Sequence, residues 1–82
     1  MIIKILGTGC TNCKTLEKYT RQAVSELGNV AEVIKVDDIT KILEYKILST
    51  PALVINEKVV MNGKVPAIEE IKEFIKLAAL AE

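Results

Sequence analysis

The chain has 82 residues, 50% hydrophobic and 27% charged, a composition that builds one compact domain and excludes a disordered tail or a repeat array. Eleven Lys and Arg balance eleven Asp and Glu, and there is no His, so no basic face for nucleic acid or for an anionic membrane is expected. No apolar run approaches the roughly 20 residues that cross a bilayer, and no signal-peptide core opens the chain, so a cytoplasmic protein with no membrane partner is expected.

Ile2 to Leu6 is an isoleucine-rich apolar run ended by Gly7-Thr8-Gly9, which reads as a buried first strand and a tight turn. From Cys10 onward, Cys13, Leu16, Thr20, Ala23, Val24 and Leu27 follow a helical stripe, with Glu17 four residues before Arg21 on the outer side, and Gly28 or Asn29 ends the helix. Val30 to Val36 is rich in β-branched residues and predicts a second strand, parallel to the first across the helix. Asp38 is a candidate N-cap for a second helix carrying Ile39, Ile42, Leu43 and Ile47, stopped by Ser49-Thr50-Pro51. Ala52 to Ile55 and Val59 to Met61, around the polar residues Asn56-Glu57-Lys58, predict an antiparallel hairpin with a three-residue loop. Pro66 opens a last helix with Glu69 and Glu70 in its first turn and Ile68, Ile71, Ile75 and Ala78 facing inward, and residues 79–82 are expected to fray. The order is β-α-β-α-β-β-α in one domain, residues 1–82, with no linker in which a second module could stand. Lys4 is the one ionisable residue in the first strand, and its preferred reading is a stem buried in the strand with its head carried to solvent at the far end.

Chemistry points to the two cysteines. Two thiols are too few for a multi-bridge framework, and Cys10-Thr11-Asn12-Cys13 stands where a buried strand turns into a helix. Unsatisfied backbone N–H groups and the positive end of the helix dipole favour a thiolate at Cys10, the expected nucleophile. Cys13, one turn further in on the buried stripe, is the expected resolving thiol that closes a disulfide. Lys14, four residues after Cys10, reads as a solvated lysine. Burial as small hydrophobes would account for Cys13 but not for Cys10 beside two glycines. A second reading is a soft-metal carrier, copper or zinc, on the same pair. The first half is similar to small copper-carrier domains, but those continue with a hairpin directly after the second strand and carry Met two residues before the first cysteine, where this chain has Thr8. A third is an adaptor that uses the fold without catalysis.

Three segments carry a wider resemblance: Gly7-Thr8-Gly9-Cys10-Thr11-Asn12-Cys13, Ser49-Thr50-Pro51-Ala52, and Asn62-Gly63-Lys64-Val65-Pro66. With them the chain resembles the small thioredoxin/glutaredoxin-like redox-active disulfide proteins of archaea and bacteria over its whole length. The resemblance implies a thioredoxin-like α/β fold: a four-stranded mixed sheet in the order 2-1-3-4, helices one and three on one face, helix two on the other. It implies a thiol-disulfide oxidoreductase with Cys10 and Cys13 as catalytic residues and with no metal or cofactor. It makes Thr50-Pro51 a cis bond whose backbone meets an extended substrate, and Gly63 a place where backbone approaches a bound peptide or small thiol. Expected partners are a disulfide-containing protein or small-thiol substrate, and a separate reductase or low-molecular-weight thiol as electron donor; the sequence leaves the oligomeric state open, with a monomer the expectation. Thr11-Asn12 matches neither the Gly-Pro of typical thioredoxins nor the Pro-Tyr of typical glutaredoxins, and the first strand lacks the buried carboxylate thioredoxins keep there, so the potential and glutathione binding stay open.

Overall fold

Strict alternation along the first strand, β1 (Ile2–Leu6), sets the layers: Ile3 and Ile5 face one side of the sheet, Lys4 and Leu6 the other. The computed structural model describes every residue except Cys10, Leu48 and Glu82. After β1 come α1 (Thr11–Glu26), β2 (Glu32–Val36), α2 (Ile39–Leu43), β3 (Ala52–Ile55), β4 (Lys58–Asn62) and α3 (Ile68–Ala81). The sheet order is β2-β1-β3-β4, with β1 parallel to β2 and antiparallel to β3, and β3 antiparallel to β4, as the sequence predicts. The main core joins Ile3, Ile5, Leu53 and Ile55 of the sheet to Leu16, Ala23 and Val24 of α1 and Ile71 and Ile75 of α3. A smaller core on the opposite face joins Leu6, Ala52 and Val54 to Ile42 of α2. Helices one and three therefore share a face and helix two takes the other, because β1 and β3 are apolar on both sides and each side needs a cover.

Element ends depart from expectation for local reasons. The second strand starts at Glu32 instead of Val30, because α1 closes with the Asn29 N–H on the Val24 carbonyl (2.8 Å) and the Gly28 N–H on the Ser25 carbonyl (3.1 Å). This is a Schellman closure with Gly28 at φ +88°, and it carries the chain outward so that Val30 is half exposed. Helix α2 stops at Leu43 and does not reach Ile47: Glu44, Tyr45 and Lys46 donate to carbonyls three residues back, and Lys46 turns left-handed at φ 56°. Its N-cap is Asp38, whose carboxylate accepts from the Thr40 N–H at 2.9 Å. The hairpin loop has two residues, not three. Ile55 pairs with Lys58, and Asn56 and Glu57 both have positive φ (51° and 69°), the twist that matches the flanking strands. Helix α3 starts at Ile68, with the Ala67 carbonyl as its first acceptor, two residues after Pro66. It continues to Ala81, so the fraying expected over residues 79–82 is not seen through Ala81, and Glu82 lies outside the described residues.

Thr20 sits on the buried stripe of α1 with no exposure, and its hydroxyl has no hydrogen-bond partner among the described residues. Desolvating a hydroxyl without a partner costs about 1–3 kcal/mol. Thr20→Val keeps the branched shape and removes the orphan, so it is expected to stabilise the fold by about 1 kcal/mol. Thermal melts check this, and an unchanged or lower melting temperature would count against it.

Among the described residues, two ion pairs cross between elements. Lys72 of α3 joins Glu26 at the end of α1, and Lys4 Nζ of β1 lies 2.7 Å from the Glu57 carboxylate in the hairpin turn. Hydrogen bonding to these lysines holds both carboxyls below the usual glutamate value, and the same bonds raise both lysines above theirs. The carboxylates' contribution is therefore complete above their ordinary value of 4.5 and lost as pH falls below it; that of the lysines is complete below 10.5 and lost above it. With no His in the chain, the melting temperature of the oxidised protein is expected to be nearly flat from about pH 5 to pH 10 and to fall on the acid side. Glu57→Gln is expected to shrink that acid loss, and an identical acid profile for the variant would contradict the assignment.

Candidate functional site

Three strand ends converge at one edge of the sheet. Leu6, the last residue of β1, pairs with Ala52, the first of β3, and Ala52 pairs with Asn62, the last of β4. The residues just beyond these pairs are Gly7, Pro51 and Gly63, so the turn before α1, the loop before β3 and the loop after β4 leave the sheet side by side.

At this edge Gly7 is buried and donates its N–H to the Val36 carbonyl at 3.0 Å, which extends the β1–β2 ladder by one step. The first turn of α1 then folds back over it. A Cβ placed on Gly7 would lie 2.3 Å from Cys13 Sγ and 2.9 Å from Cys13 Cβ. Only glycine lets the helix come this close, and Gly7 does so at an ordinary φ, so the requirement is steric. Cys13 is 2% exposed and disulfide-bonded. Cys10, the expected nucleophile, stands one residue before α1 in the sequence and lies outside the described residues. Lys14 is exposed on α1.

Across the sheet edge, the Thr50–Pro51 bond is cis; Thr50 is exposed and Pro51 buried. The Pro51 carbonyl accepts the Gly63 N–H at 2.9 Å. Gly63 has φ +77°, and a Cβ there would come within 2.6 Å of Ser49 Oγ. Pro51 and Gly63 are thus brought together, with the Gly63 N–H given to Pro51 and its bare Cα packed on Ser49. Lys4 points away from this edge: its ammonium lies 3.0 Å from the Tyr45 hydroxyl as well as beside Glu57, at the hairpin-turn end. This agrees with a lysine that carries its head to the surface. Sequence reading took Gly7 as a turn glycine, and missed its contact with Cys13 as well as Ser49 and Tyr45. Tyr45 falls three residues after Ile42 on the same helical stripe, which is the signal that could have found it.

Among the described residues, no group of three or more His, Cys, Asp or Glu is placed to hold a metal ion, and no helix is long and apolar enough to cross a membrane.

The family model for the thioredoxin domain matches residues 1–76. The chain belongs to the thioredoxin family. A thioredoxin of Methanocaldococcus jannaschii is 41% identical over 76 residues, covering 93% of this chain and 87% of that protein. A thioredoxin of Methanothermobacter thermautotrophicus is 43% identical over 75 residues, covering 92% of this chain and 97% of that protein. Among solved structures, chloroplastic thioredoxin z superimposes with a TM-score of 0.73 at 21% identity over 96% of this chain and 78% of its own, a likeness of fold. The protein is a thiol-disulfide oxidoreductase, and thioredoxins as a family act on disulfide substrates with reductase partners. The relatives lend no support to the soft-metal carrier reading.

Proposed function

We propose that the chain is a small thioredoxin/glutaredoxin-like electron carrier that works through the dithiol of Cys10 and Cys13. The observation that carries the reading is the setting of Cys13: buried in the first turn of α1, packed on Gly7 and disulfide-bonded, in a chain whose one other cysteine stands three residues before it. Cys10 precedes a 16-residue helix, whose free N–H groups and dipole favour its thiolate.

The thiolate of Cys10 attacks a substrate disulfide. One substrate sulfur leaves as a thiolate and the other stays joined to Cys10. Cys13, deprotonated, then attacks the Cys10 sulfur, forms the Cys10–Cys13 bond and releases the second substrate thiol. Two electrons pass to the substrate, and a separate reductase or low-molecular-weight thiol returns them. Thr50 and Pro51 form the substrate contact: Thr50, an exposed residue, offers its backbone N–H and carbonyl to an extended segment, in the manner of strand addition. Gly63 belongs to the same contact by holding the Pro51 carbonyl in place. Residues 1–82 act as one domain, a monomer, in the cytoplasm, with no metal or cofactor.

A titration of the dithiol in dithiothreitol redox buffer, with the thiol pKa measured alongside, tests this. The expected result is one reversible two-electron transition and a Cys10 thiol that titrates below the free-cysteine value of about 8.5. An irreversible pair, or a Cys10 thiol at or above that value, would count against the proposal.

A further inference from the structure

We propose that Tyr45 is a positioning residue for the segment that meets substrate: its hydroxyl, held by Lys4 and Glu57, fixes the chain that leads into Ser49-Thr50-Pro51. The inference rests on the reading of Thr50 and Pro51 as the substrate contact and adds what holds them there.

Packing alone holds the α2 segment weakly. The helix has five residues and buries one, Ile42, while Ile39 and Leu43 are 56% and 62% exposed. The Tyr45 ring packs against the smaller core but also lines a solvent-open cleft of about 350 Å³ with Lys41, Ile34 and Val36, so apolar contact covers it only in part. Its polar end supplies the directional hold. Lys4 Nζ donates to the Tyr45 hydroxyl at 3.0 Å, and that hydroxyl lies 3.2 Å from the nearer Glu57 carboxylate oxygen, which also pairs with Lys4 across 2.7 Å to its other oxygen. Bonds with a charged partner are the stronger class. Glu57 also occupies a left-handed turn position, φ 69°, where glycine is the usual residue, so its side chain is present at a conformational cost.

Ser49 follows Tyr45 by four positions in the sequence, and the same hairpin grips both residues. Its turn holds Tyr45 through Glu57, and its far end holds the substrate loop through the Gly63 N–H on the Pro51 carbonyl (2.9 Å) and the contact of Gly63 with Ser49. Ile47 packs into the smaller core between the two grips. Loss of the first grip leaves, among the described residues, the contacts of the Tyr45 ring and Ile47 with the smaller core and the second grip, so the loop's position, and with it the fit of an extended substrate, depends in part on a hydroxyl at the other end of the sheet.

Tyr45→Phe keeps the ring and removes the hydroxyl; Glu57→Gln keeps an acceptor and removes the charge. Each is measured with dithiothreitol as donor on insulin, whose disulfides lie in a polypeptide, and on hydroxyethyl disulfide, which offers no backbone to the loop. For Tyr45→Phe the KM for insulin is expected to rise roughly threefold to tenfold, with kcat and the hydroxyethyl disulfide rate unchanged, and Glu57→Gln is expected to show a smaller rise of the same kind. Hydrogen exchange at the Gly63 amide, which reports its bond to Pro51, is expected to quicken by a similar factor while the β1 amides stay as protected as before. Unchanged Gly63 exchange in both folded variants overturns the inference. Faster Gly63 exchange with an unchanged KM overturns the reading of Thr50 and Pro51 on which it rests.

Discussion

Gly7→Ala is expected to lower the rate of disulfide reduction at least tenfold and to cost about 1–3 kcal/mol of stability, the usual range for overpacking a filled site. The added methyl would stand 2.3 Å from Cys13 Sγ and 2.9 Å from Cys13 Cβ, inside any tolerable contact. Neither neighbour yields easily. The sulfur is tied in a disulfide and the Cβ is fixed to the first turn of α1. Nor does the backbone of Gly7 yield, since its N–H is committed to the Val36 carbonyl. Relief therefore comes from moving the start of α1 away from β1, which displaces the resolving thiol from its place at the helix opening. Insulin reduction and a denaturant melt check both parts, and a variant with wild-type activity would show that Cys13 has freedom the packing denies it. Gly9→Ala is the contrasting change: a Cβ there meets nothing within 4 Å, so its effect is confined to the backbone conformation at φ +92°.

Leu16→Ala is expected to be the costlier change for stability, about 2–5 kcal/mol. Leu16 has no exposed surface and lies in the main core with Ile3, Ile5, Leu53, Ile71 and Ile75, where a truncated side chain leaves a void that five packed neighbours cannot close by rotation. For a domain of this size the whole stability is about 4–12 kcal/mol and each kcal/mol moves the melting point by about 4–8 °C, so the variant is expected to melt well below the parent. Leu80→Ala, on the outer side of α3 and 83% exposed, is expected to change stability by no more than about 0.5 kcal/mol. Equal losses for the two leucines would contradict the assignment of the core.

Sequence and structure agree most closely where burial dictates pattern. The apolar run of Ile2 to Leu6 and the stripe of Cys13, Leu16, Thr20, Ala23 and Val24 announce the surfaces that β1 and α1 bury, so the element order is readable from the residues, while the sheet order follows from the family resemblance. The three segments that carried the family resemblance come to one sheet edge through the pairs Leu6–Ala52 and Ala52–Asn62. The end of α2 was not readable, because Ile47 continues its stripe in the sequence but reaches the same small core from outside the helix, after the left-handed turn at Lys46. The hairpin loop is one residue shorter than the sequence predicts for a related reason: Asn56-Glu57 lacks the glycine that normally marks a two-residue turn, and Glu57 holds a left-handed conformation while its side chain pairs with Lys4. Gly7 was legible as a turn residue, but its contact with Cys13 depends on how α1 lies against β1, a relation between elements that no local pattern carries.

The division of labour between the two cysteines is the centre of this account, and covalent trapping tests it most directly. Cys13→Ser protein, mixed with insulin in its native, disulfide-bonded form and separated without reductant, is expected to accumulate a mixed disulfide through Cys10 that dithiothreitol releases. Cys10→Ser protein is expected to form none and to have no reductase activity. Turnover by Cys10→Ser, or an adduct that forms through Cys13 instead, would contradict the account.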